Sequence, residues 1–178
     1  MTKLIVHGRP QRWKRPEQRL IPAKGKRKAF VTRYTDKECE AHKKMVGDLL
    51  RDVHDGPPWL CGVAIRVRAV FEPPASISKE LRAACLAGKM PHTCDPDLDQ
   101  IIKQIMDAAV GIVYVDDNQV AHFSDSAKRY GSPERTEIEF IRIAQPEGLL
   151  MPTQKALRKR QGLPPSPQPG RDKQKRLI

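Results

Sequence analysis

The chain has 178 residues, 39% of them hydrophobic, and a formal net charge of +12. That length suits one domain of ordinary size with some loose sequence attached. No run approaches the roughly 20 apolar residues that cross a bilayer, which argues against a membrane-spanning class and predicts a soluble intracellular protein.

Cys39, Cys61, Cys85 and Cys94 include no closely spaced pair, which excludes zinc ribbons and fingers and predicts scattered reduced thiols. The charge is uneven. Residues 1–33 hold eleven Lys/Arg against one acid, residues 151–178 hold eight against one, and the middle is left at −5. Basic ends around an acidic centre suit a polyanionic partner, nucleic acid first, and a small acidic site for cations.

In chain order, KLIVH (3–7) predicts a short strand, and GRPQRWKRPEQR is too rich in Pro and Arg to continue it, so a basic loop follows. Its Arg9, Arg12, Lys14 and Arg15, with Lys24, Lys26 and Lys28 further on, are candidate phosphate contacts. Trp13 is either a platform for an unpaired base or a half-buried anchor. Thr35 and Glu38 have capping-box spacing before a helix whose Met45, Val46, Leu49, Leu50 and Val53 line one face, and Gly56-Pro57-Pro58 stops it.

GVAIRVRAVF (62–71) alternates, predicting a strand whose Arg66 and Arg68 face water or phosphate. Ser78 can cap a short helix closed by Gly88. From Leu98, the residues Ile101, Ile102, Ile105, Met106 and Ala109 form a core-facing helical stripe that Gly111 ends. IVYV (112–115) predicts a strand running into Asp116-Asp117-Asn118. QVAHF and RTEIEFIRI (135–143) predict two more strands. Mixed strands and helices make the expected class α+β, a small mixed sheet with packed helices over residues 1–145. Residues 146–178 read as a Pro-rich basic tail too poor in apolar periodicity to order itself.

Asp99, Lys103 and Asp107 lie four apart on one helix face and Asp97 sits at the N-cap. If the strand 112–115 packs beside this helix, Asp117 joins Asp97 and Asp99. Gathered carboxylates repel unless a cation or proton sits between them. With no Cys/His set, the cation of choice is Mg²⁺, with Mn²⁺ second. Such a site could grip a phosphodiester while Lys103 offsets charge on the phosphorus, which is hydrolytic nuclease chemistry. Each acid also has a structural reading: Asp97 with Gln100 makes a capping box, Asp99 suits the helix dipole, and Asp-Asp-Asn suits a turn.

PDLDQIIKQIMDAAVGIVYVDDNQV (96–120), followed by KRYG at 128–131, resembles the signature of the RusA-like Holliday-junction resolvases: P-D-x-D-N-x-x-K, then D-A-L-x-G, D-D-x-Q-[VI] and K-x-Y. GRPQRWKRP resembles that family's opening, and the likeness runs over about residues 4–143. The resemblance implies an α+β homodimer, cytoplasmic and of bacterial or phage type, that binds four-way junctions in branched DNA and uses Mg²⁺ to nick opposing strands. It places the essential acids at Asp97, Asp99 and Asp117, with Asp116 beside them, the catalytic lysine at Lys103 and a further DNA-binding base at Lys128. Two departures stand out: Gln100 replaces the family asparagine, and Asp95 stands where a base is usual. The competing readings are a non-catalytic DNA-binding or architectural protein, and a less selective nuclease on flaps or single strands.

Overall fold

Every β-branched or aromatic residue that alternates along Val63–Phe71 is buried, and this strand is the axis of the fold. The computed structural model describes residues 1–23, 25, 28–145, 159 and 162. The Pro-rich tail, Lys24 and Lys26 therefore lie outside the described residues. The strands are β1 (Thr2–His7), β2 (Glu17–Ile21), β3 (Phe30–Tyr34), β4 (Val63–Phe71), β5 (Val120–Phe123), β6 (Ala127–Tyr130) and β7 (Arg135–Arg142). The helices are α1 (Lys37–Val53), α2 (Lys79–Leu86) and α3 (Leu98–Ala109), with a 3₁₀ turn at Asp117–Gln119.

The main sheet is mixed, in the order β1-β7-β4-β5, with β6 following β5 along the same edge of β4. β7 pairs antiparallel with β1 and β4, whereas β5 and β6 run parallel to β4. Ser126 fills the break between β5 and β6, its hydroxyl accepting from Val67 N–H at 3.0 Å. One face of the sheet, with Leu4, Val6, Ile65, Val67, Ile138 and Phe140, forms the core with α1 and α3. The α+β reading therefore holds.

The other face carries charge, as antiparallel sheets with one wet side do. The arginines of β4 lie on this face, each about a third exposed, as expected of a wet side. Arg66 binds Glu139 at 2.9 Å and Arg68 binds Asp125, so both are ion-paired within the protein.

Three local expectations are corrected. Helix α1 is capped by Asp36, not Thr35: its carboxylate accepts from Glu38 N–H and Cys39 N–H, both at 3.0 Å. Its buried residues are Cys39, Val46, Gly47 and Leu50, while Met45 and Val53 are exposed. Gly47 faces α3, where a Cβ would make ordinary contact with Ala108 O at 3.6 Å. Residues 112–115 form no strand. Gly111, at φ +75°, reverses the chain, and its N–H donates to Tyr114 O at 2.7 Å. Val113 and Tyr114 are fully buried beneath that turn, with the Tyr114 hydroxyl donating to Met106 O. Finally, the segment read as a basic loop also contributes the two-stranded ribbon β2–β3, in which Leu20 pairs with Val31 and Ile21 with Phe30.

Candidate active site

The first turn of α3 and the basic loop after β1 are tied together. Trp13 N–H donates to Gln100 O at 3.1 Å, and the Cys39 thiol donates to Arg12 O at 3.2 Å while accepting from Lys14 N–H. Buried Gln104 donates to Cys39 O at 2.7 Å, joining α3 to the start of α1. The loop 9–15 thus lies against the end of α3 that bears the acids.

Asp97 has N-cap backbone angles, but its side chain makes no capping hydrogen bond. Gln100 donates to it at 3.4 Å, so the glutamine reaches Asp97 and not Asp99. The capping-box reading of Asp97 is corrected: its exposed carboxylate accepts from the Gln100 side chain and from no helix amide. Asp99 lies one turn below Lys103, and both line an open cavity of about 1060 Å³. Lys103 Nζ binds Asp107 at 2.8 Å and Asp117 at 3.1 Å. Asp107 first, then Asp117, hold the lysine pKa above its ordinary value against partial burial, so Lys103 is a standing positive charge at neutral pH.

Asp117 owes its place to the turn around it. Asp116 accepts from Asn118 N–H at 3.0 Å and caps the 3₁₀ turn. Gln119 accepts from Val115 N–H and Asp116 N–H, and donates to Trp59 O and Cys61 O at 2.8 and 2.9 Å. Sequence reasoning noted this glutamine only as a motif letter. A buried amide that satisfies four backbone groups can be found only once the partners 60 residues away are placed.

Among the described residues, no three His, Cys, Asp or Glu side chains stand together as a group able to hold a metal ion. Asp97, Asp99 and Asp117 offer the carboxylate oxygens that a hard divalent cation takes. They are strung beside α3 with Lys103 bound to Asp117, so the donor types fit the ion and the arrangement is not a ready ligand set.

The candidate DNA contacts divide. Arg12 makes two 2.9 Å bonds to Asp95. Lys14 binds Asp36 at 2.9 Å; this bond raises the lysine pKa and lowers that of the aspartate. Lys128 donates to Cys94 O and Pro96 O at 2.6 and 2.9 Å, clamping the loop that delivers Asp97. Each of these three cations has a partner within the protein. Arg9 lies 6.0 Å over the Phe71 ring, Arg15 lines the cavity, and Lys28 is exposed.

On a small α+β scaffold, a basic loop thus lies beside helix-borne acids and a charged lysine. The family described as Endodeoxyribonuclease RusA matches residues 10–141, and the chain belongs to that family of Holliday-junction endonucleases. No curated protein matches the chain at a significant level. No helix among the described residues is long and apolar enough to cross a membrane.

Proposed function

We propose that the chain cuts four-way DNA junctions by paired phosphodiester hydrolysis, with Asp97, Asp99, Lys103 and Asp117 at the reacting phosphate. The observation that carries this reading is the ammonium of Lys103, pinned by Asp107 and Asp117 and lining one cavity with Asp99, in a chain of the RusA family. Its raised pKa makes it a fixed charge opposite the pentacovalent phosphorus and not a proton donor. Arg9, Arg15 and Lys28, with Lys24 and Lys26, hold flanking phosphates.

The cofactor of this reading is Mg²⁺, with Mn²⁺ able to replace it; Asp97, Asp99 and Asp117, with Asp116 beside them, would hold it once Asp117 exchanged Lys103 for the ion. When bound, such an ion supplies positive charge to the phosphoryl oxygens and acidifies water. Residues 1–145 form the nuclease domain, and residues 146–178 act as a basic arm on the DNA backbone. The working unit is a cytoplasmic homodimer, whose two-fold axis matches a junction cut in two strands. Exposed Leu20, Phe30, Val31 and Tyr34 on the β2–β3 ribbon offer apolar surface for the partner copy.

The test compares labelled four-way, flap and linear substrates with added Mg²⁺. Junction cleavage far exceeding the other two is expected; equal cutting of all three would replace this reading with a less selective nuclease.

A further inference from the structure

The cavity that holds Asp99 and Lys103 has a second character. Its walls are apolar, with Trp13, Leu98, Ile102, Met106 and Phe123. At about 1060 Å³ it is as large as the clefts that enclose whole small ligands, so it has room for at least one nucleotide. Phe123, the last residue of β5, is 55% exposed, so its ring is open to a stacking partner. Trp13 lies half-buried on the basic loop, which lines the cavity together with α3 and the end of β5, and is fixed there by its backbone bond to Gln100. Asp125 at the rim is ion-paired to Arg68, leaving Arg15 and Lys103 as the cations facing the space. Trp13 and Arg15 also line a second cavity of about 610 Å³ that continues past Pro16 and Gln18.

We propose that this cavity receives an unpaired nucleotide of the DNA, its base stacking on Phe123 and Trp13 and its backbone leaving along Arg15 into the second cavity. The inference rests on the nuclease reading for the neighbouring acids and deepens it: the strand is opened next to the phosphate that is cut. Aromatic rings beside a basic track are how proteins hold single strands without reading sequence, because every base has a face to stack. A protein partner or second copy on the same apolar walls is the competing occupant.

The experiment uses the full chain and a single-stranded oligonucleotide carrying one 5-iododeoxyuridine, with long-wave irradiation and mass spectrometry of the cross-linked peptide. A four-way junction carrying the same base at its exchange point is the second probe. Cross-linking to the peptides that contain Phe123 or Trp13 is expected. Phe123→Ala should weaken single-strand binding about ten-fold while leaving linear-duplex affinity unchanged. Cross-links only to other peptides, or equal single-strand affinity in Phe123→Ala, overturn the proposal. So does a change in oligomeric state on that substitution, since a second copy would then cover the cavity. Junction cleavage together with misplaced cross-links sinks the pocket and spares the nuclease. Correct cross-links without any cleavage do the reverse.

Discussion

At the scale of single residues, two lysines that look alike in sequence have different work. Lys103 is held by two carboxylates beside the cavity, and Lys128 is consumed by two loop carbonyls. Lys103→Met should lower junction cleavage on the order of 10²–10³-fold with little change in junction affinity, measured by single-turnover kinetics and binding titration. Lys128→Met should also slow cleavage, by loosening the loop before Asp97, yet leave the salt dependence of binding alone. If Lys128 instead gripped a phosphate, the log–log salt slope would fall by about one unit. The acids were legible because four-residue spacing on a helix is a local property. That Lys103 would bind Asp117, and Arg12 would bind Asp95, depends on pairings 14 and 83 residues apart that no local pattern encodes.

At the scale of elements, α3 was readable because Leu98, Ile101, Ile102, Ile105 and Ala109 repeat at the helical period and pack into the core or against it. The β2–β3 ribbon was not: its strands are largely exposed, so burial imposed no alternation to detect. Residues 112–115 misled for the opposite reason, since a fully buried apolar turn has the composition of a buried strand. What holds that turn is Gln119, 7% exposed and bonded to four backbone groups. Gln119→Leu should destabilise the fold by about 3 kcal/mol or more, because the abandoned carbonyls and amides stay buried. Urea denaturation checks this; an unchanged midpoint would mean that the turn is held by Val113 and Tyr114 alone.

At the scale of the whole molecule, stability should respond to pH through histidine. Burial pushes the pKa of His42 below 6.5; burial, then the charges of Lys128 and Arg9, push His92 down as well. Below about 6.5 the unfolded chain then binds protons that the folded chain refuses, so stability is full above that pH and falls as pH drops. Asp36, Asp48, Asp125 and Glu139, all lowered by ion pairs, add their loss only at still lower pH. Thermal melts from pH 7 to 5 should show a falling midpoint, and His92→Gln, though less stable overall, should flatten that slope. A midpoint that rises toward pH 5 would show that the two imidazoles are charged in the folded state.

The central claim is that helix-borne acids and Lys103 together hydrolyse junction DNA, and Asp117 is the one proposed catalytic acid among the two carboxylates bound to the lysine. Single-turnover cleavage of a labelled four-way junction at saturating Mg²⁺, by the parent chain and by Asp117→Asn, tests it most directly. The expected result is paired nicks from the parent and a loss of about a hundred-fold or more in the variant, which still binds the junction. A parent that binds the junction and never cuts it, or a variant that cuts at the parental rate, would contradict the account.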